Sequence, residues 1–203
     1  MDSSRPTLRA AFTSIACWTV IAGITALVAS CSLQKSPAHN NGASGTSPAS
    51  VVPQCQTADM KVRLDLHSAG VAAGTSYIPL DFTNLSAGSC RLSGFPAVTL
   101  ATSGTGKQVG TAAVDARNET VQAMELRGGQ TAHIWLRLAS VANLPAATCR
   151  PVTAAGLRVT LPGQRRSVYL SHRLTVCAGR VPGTDILTIE PFHPGRAKPG
   201  TAQ

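Results

Sequence analysis

Six cysteines and five histidines carry most of the chemistry this sequence could perform. Cys31 follows Val28-Ala29-Ser30, small residues that can lie extended in a peptidase cleft, so that cleavage would leave its thiol on a new N-terminal residue. Cys55, Cys90, Cys149 and Cys177 form an even set spread along the chain without CxxC spacing. That pattern points to disulfides rather than a metal site, and no metal or cofactor is expected. His39, His67, His133, His172 and His193 are isolated from one another. No G-x-S-x-G, paired carboxylates or glycine loop opening a helix accompanies them, and Gly104-Thr-Gly106-Lys107 reads as a hairpin turn rather than a phosphate cradle. A Ser-His-Asp triad can still assemble from distant positions, which keeps an envelope hydrolase as the rival to a non-enzymatic reading.

The N-terminus supplies the strongest signal. Residues 1–9 are polar with Arg5 and Arg9, residues 10–29 contain no charge, and Val28-Ala29-Ser30-Cys31 closes the stretch. This is the order of a secretory signal peptide, and its end resembles the lipobox of bacterial lipoproteins, with Cys31 as the lipidated residue. An uncleaved membrane span of about 20 residues is the alternative. Thr13, Ser14, Thr19 and Thr25 within the run, and the lack of a basic stop-transfer cluster after it, argue against that. Both readings put the domain outside the cytoplasm. Cys17, inside the apolar run, is assigned no chemistry.

Composition bounds the remainder. A chain of 203 residues, 43% hydrophobic, holds one well-cored domain with extensions. With only 4% aromatic residues but 18 Gly and 13 Pro, it suits short strands and many turns. The net charge is +9; removing residues 1–30, which carry Arg5, Arg9 and Asp2, leaves 16 basic and 8 acidic side chains, hence +8. The basic residues are scattered and lack interleaved aromatics, so nucleic acid is not an expected partner. The charge fits a solvated surface drawn to anionic headgroups or wall polymers.

The organisation follows: a signal peptide at 1–30, a flexible tether at 31–53, a folded domain at 54–190 and a disordered tail at 191–203. The tether, SLQKSPAHNNGASGTSPASVVP after Cys31, is polar and aperiodic. It would span on the order of 25 Å as a coil. Within the domain, apolar residues alternate at Met60 to Leu66, Ile78 to Phe82, Ala132 to Leu138 and Leu157 to Leu161. A period of two means strands with one buried face, and weaker candidates fall at 97–101, 121–126, 167–176 and 186–189. Pro79 cannot donate to a ladder and is expected on an edge or at a bulge. The fold class is all-β, an antiparallel immunoglobulin-like β-sandwich stapled by two disulfides.

Strand order selects the pairing. Cys149 precedes the Leu157 strand and Cys177 ends its return partner after a turn at Pro162-Gly163, so the two meet at one end of a hairpin. Cys55 begins the first strand and Cys90 follows the second, which runs back against it. Cys55–Cys90 and Cys149–Cys177 result, each contributing roughly 3 to 4 kcal/mol by restricting the unfolded chain.

Trp135 falls on the polar side of its strand, with Arg137 and His133. It is either a binding anchor, with Arg137 and Tyr77, or a side chain covered by a neighbouring loop. Asn84-Leu-Ser86 and Asn118-Glu-Thr120 match the glycosylation sequon, a short pattern that arises by chance.

Tyr77-Ile-Pro-Leu-Asp-Phe-Thr-Asn84, Cys90-Arg-Leu-Ser-Gly-Phe-Pro96, Leu126-Arg-Gly-Gly-Gln-Thr-Ala132, Cys149-Arg-Pro and the final Cys177 together resemble the actinobacterial domain of unknown function numbered 4232. The resemblance covers about 135 residues and all four cysteines, and implies a secreted or lipid-anchored β-sandwich without catalytic residues to transfer. The expectation is therefore a monomeric lipoprotein on the extracytoplasmic face of the cell membrane, held there by lipid, whose sandwich binds an envelope protein or cell-wall polymer. A purely structural surface spacer is the third possibility.

Overall fold

A computed structural model describes residues 51–200. The expected signal peptide, Cys31 and the expected tether up to residue 50 lie outside the described residues. Among those described, no helix is long and apolar enough to cross a membrane.

The strands in the first half are β1 (Met60–Leu64), β2 (Gly70–Ala72), β3 (Thr75–Asn84), β4 (Cys90–Leu92), β5 (Ala97–Ala101), β6 (Gln108–Val109) and β7 (Val114–Asp115). They are followed by β8 (Met124–Leu126), β9 (Thr131–Ala139), a one-turn helix α1 (Ala146–Cys149), β10 (Pro151–Thr160), β11 (Ser167–Cys177), β12 (Leu187–Ile189) and β13 (His193–Pro194). One sheet runs β1-β3-β9-β12-β7, with β2 also on β3 and β13 also on β9; a second runs β11-β10-β5-β6, and β4 pairs with β8. The two larger sheets share one core. Leu80, Phe82, Ile134 and Leu136 from the first sheet meet Val98, Leu157 and Val159 from the second in a single buried cluster.

The expected all-β sandwich is present, with one departure from antiparallel pairing among the named strands, the parallel pair β12 and β7, and a parallel bridge between Gln54 and Arg91 outside them. Both expected disulfides form, Cys55–Cys90 and Cys149–Cys177. Their geometry follows from the ladders. Pro151 faces Cys177 across the β10–β11 hairpin, which brings Cys149 to the end of β11. Met60 faces Asn84 across β1–β3, which places the chain before β1 beside the chain after β3.

Pro79 is neither on an edge nor at a bulge. It sits fully buried within β3, opposite Trp135 of β9. On the other side of β3 the neighbouring strand is interrupted between Leu64 and Gly70, and the Pro79 carbonyl accepts from the Asp65 amide at 2.9 Å. A residue without an N–H fits where the ladder has a gap. The β2–β3 turn at Ala73-Gly74 has both residues at positive φ, 46° and 75°, as a two-residue hairpin connection requires.

The C-terminal segment corrects the expectation of a disordered tail from 191. The Phe192 side chain is 3% exposed and meets Phe82 edge to face at 5.0 Å, inside the core. Its amide faces the Gly94 carbonyl at 3.4 Å, within the Cys90 to Pro96 motif. His193 and Pro194 then pair with His133 and Ala132. The Pro- and Gly-rich composition conceals this because one aromatic anchor, placed by the end of β12, is enough to dock the segment. Phe192→Ala is expected to lower stability by about 3 to 4 kcal/mol in urea unfolding. A loss below about 1 kcal/mol would show that the segment is not packed as described.

Candidate functional site

Alternation along β9 sends Ala132, Ile134, Leu136 and Leu138 into the core and His133, Trp135 and Arg137 to the opposite side of the sheet. The register across β3–β9 sets Asp81 beside His133 and Tyr77 beside Arg137. Trp135 is no exposed anchor: it is 3% exposed, with its ring edge-on to His133 at 6.2 Å. Arg137 stays partly exposed and stacks over the half-buried Tyr77 ring at 5.5 Å. Of the three expected binding residues, two are therefore side by side, and the third is covered.

Residues 190–198 provide much of the cover. From β13 the chain turns over the outer face of the sheet: the Gly195 amide donates to the Thr131 carbonyl, Arg196 reaches Asp81 at 2.9 Å, and the Ser68 hydroxyl donates to the Ala197 carbonyl at 3.4 Å. Three titratable groups are enclosed as a result. Asp81, His133 and Glu190 are 3%, 9% and 6% exposed.

Each responds to its surroundings. Burial raises the Asp81 carboxyl above its ordinary value, against the opposing pull of Arg196. Burial lowers His133, whose Nδ1–H donates to the Gly195 carbonyl at 3.0 Å. A neutral ring with that tautomer keeps Nε2 as an acceptor. Glu190 is displaced furthest, up to about 7, by burial and then by the nearby charge of Glu119, with Arg137 opposing.

Beside these groups lies a cavity of about 390 Å³. Its titratable lining comes from Glu119, His133, Glu190 and His193, its apolar wall from Trp135 and Pro194. Arg196 and Lys198 add two cations. Glu190 stands 3.8 Å from Arg137 Nη1 and 3.6 Å from His193 Nε2, both beyond hydrogen-bond reach. His193 Nε2 is itself buried without a hydrogen-bond partner. Among the described residues, no three His, Cys, Asp or Glu side chains are grouped so as to hold a metal ion.

Other sequence candidates resolve differently. The Ser103, Gly104 and Gly106 carbonyls all accept from the Arg158 guanidinium, so this loop turns acceptors, not amide donors, toward its charged neighbour. Asn84 is fully buried: its amide donates to the Gly88 and Leu126 carbonyls and its Oδ1 accepts from Ser86. That asparagine is a structural node and is closed to modification in the folded domain. Asn118 sits at φ 68°, on the exposed segment leading to Glu119. His67 is exposed and His172 half-buried, and neither joins the cluster.

The fold and its staples define a disulfide-linked all-β sandwich domain with a polar cavity on the outer face of one sheet. The chain belongs to the family described as Domain of unknown function (DUF4232), whose profile matches residues 55–193. The match includes Glu190 and His193 and ends before Arg196 and Lys198. No curated protein matches the sequence.

The raised Glu190 carboxyl has a consequence for stability. Between its ordinary 4.5 and about 7, the folded domain holds a proton that the unfolded chain has released, so this group's contribution is lost as pH rises through that window. His133 acts in the opposite sense below its ordinary 6.5, but equally in wild type and in a Glu190 variant. Glu190→Gln should therefore match wild type near pH 4.5 and exceed its stability at pH 8 by roughly 2 kcal/mol, measured by urea unfolding. Equal stability at both pH values would contradict the enclosed carboxyl.

Proposed function

We propose that the chain is an exported lipoprotein, cut before Cys31 and held by lipid on that cysteine at the extracytoplasmic face of the cell membrane. Its sandwich domain binds an envelope protein or cell-wall polymer without catalysis. The N-terminal order of basic, apolar and small residues before Cys31 supports export and anchoring. Two disulfides fit an oxidising compartment outside the cytoplasm.

The observation that carries the binding reading is the outer-face cavity, with the nearly buried Glu190 and the unpartnered His193 Nε2 in its wall. Buried polar groups are ordinarily satisfied, and such a gap in a cavity wall is what a ligand group fills. A structural spacer has no need of it. The triad form of the hydrolase reading requires a serine, threonine or cysteine beside a histidine, and the described cavity lining offers none.

Expression of wild type and Cys31→Ser in the native host tests anchoring and binding together. Intact mass spectrometry should find the wild type beginning at Cys31 with a diacylglycerol mass, and the variant without lipid and released. The released variant should then re-bind lipid-extracted envelopes. Retention of residues 1–30 without lipid would remove the lipoprotein reading, and failure to re-bind would remove the binding one.

A further inference from the structure

We infer that the cavity on the outer face of β9 is a glycan subsite, which receives a pyranose unit of an envelope polysaccharide between the Glu190 carboxyl and the His193 and His133 imidazoles. This rests on the proposed binding function and chooses the polymer over the protein ligand.

Glu190 is nearly buried, yet its two neighbours at 3.8 and 3.6 Å stop short of a hydrogen bond. His193 Nε2, on the second of these contacts, has no partner, and His133 has committed only Nδ1. Three polar side chains on one wall thus present hydrogen-bonding capacity that no hydrogen bond among the described residues uses, and His193 Nε2 is buried as well. They offer both signs: an imidazole nitrogen donates or accepts with its tautomer, and a carboxyl accepts when ionised and also donates when protonated.

The complementary ligand carries several groups that each donate and accept, close together on a rigid frame. Vicinal hydroxyls do this. A hydroxyl seated at Glu190 would accept from one neighbour and donate to the carboxylate, bridging contacts that are too long to close directly.

Charge selects against simpler ligands. Glu119 and Glu190 face an entering anion, and Arg196 and Lys198 face an entering cation, so neither phosphate nor an ammonium group meets a wall of one sign. Shape agrees with a sugar. A cavity of about 390 Å³ falls at the small end of ligand sites and accommodates on the order of one ring with part of a neighbour. Pro194, with the small part of Trp135 that reaches the cavity, supplies apolar wall for the C–H face of that ring, while the open side leaves room for a polymer to continue.

The test uses the full chain in detergent, with NMR signals of the His133 and His193 imidazoles and the Trp135 indole. The probe is the oligosaccharide pool released by partial hydrolysis of the host's deproteinised envelope. Saturable shifts at these three residues are expected. Glu190→Ala should weaken the response roughly tenfold or more, because a site built around hydroxyl recognition loses its central partner. His193→Ala, more remote from the core, should weaken it as well, so the conclusion does not hang on the folding of one variant. No shift with the pool, shifts elsewhere only, an unchanged response in both variants, or the same shifts from inorganic phosphate alone would overturn the glycan subsite. If the oligosaccharides fail while the Cys31→Ser protein still re-binds lipid-extracted envelopes, the subsite falls and the binding function stands.

Discussion

Strand β9 is covered on both faces, and the rest of the domain is arranged around that constraint. On one face its four apolar residues form the centre of the sandwich core. On the other, alternation delivers a histidine, a tryptophan and an arginine, which cannot all be buried unless polar partners come with them. The partners come from β3, in register, and from the chain's own C-terminal segment. Asp81, Arg137, Glu190 and Arg196 are thus parts of one arrangement, in which each buried charge has a neighbour of opposite sign.

That arrangement is anchored by an apolar contact. Phe192 points into the core against Phe82, and Glu190 and His193, three positions apart, come together at 3.6 Å in the cavity wall, an arrangement that strict strand alternation would not give. Buried ion pairs contribute little net stability after desolvation, so the segment is held by its aromatic and its backbone pairing, and the charges specify its course. The long Glu190 contacts, and the cavity beside them, are what remains where this packing does not close.

Much of the fold is legible in the sequence because its signals are local. The alternation at 60–66, 78–82, 132–138 and 157–161 identifies the main strands, although β1 ends at Leu64 and leaves Leu66 exposed, and the order of strands and turns identifies both disulfides. The cavity is much less legible. Trp135 has the right parity for an outward residue, but parity cannot say that a segment more than fifty positions later lies across it. Glu190 closes an apolar strand and precedes a Pro-Phe-His-Pro-Gly stretch whose composition reads as unstructured. The readable clue was Phe192, a lone aromatic in a polar tail, two positions from a carboxylate and one from a histidine. Asp81 shows the same limit, since a charged residue amid Leu80 and Phe82 looks solvent-facing until Arg196 is placed against it.

The outer face of β9 is enclosed, and Glu190 reports that enclosure directly. A site-resolved NMR titration of the Glu190 carboxyl carbon in the intact domain should show a midpoint near 7, well above its ordinary 4.5. A midpoint close to 4.5 would mean that the carboxyl stands in water. In that case the C-terminal segment does not close over the sheet, and the cavity has no buried polar wall.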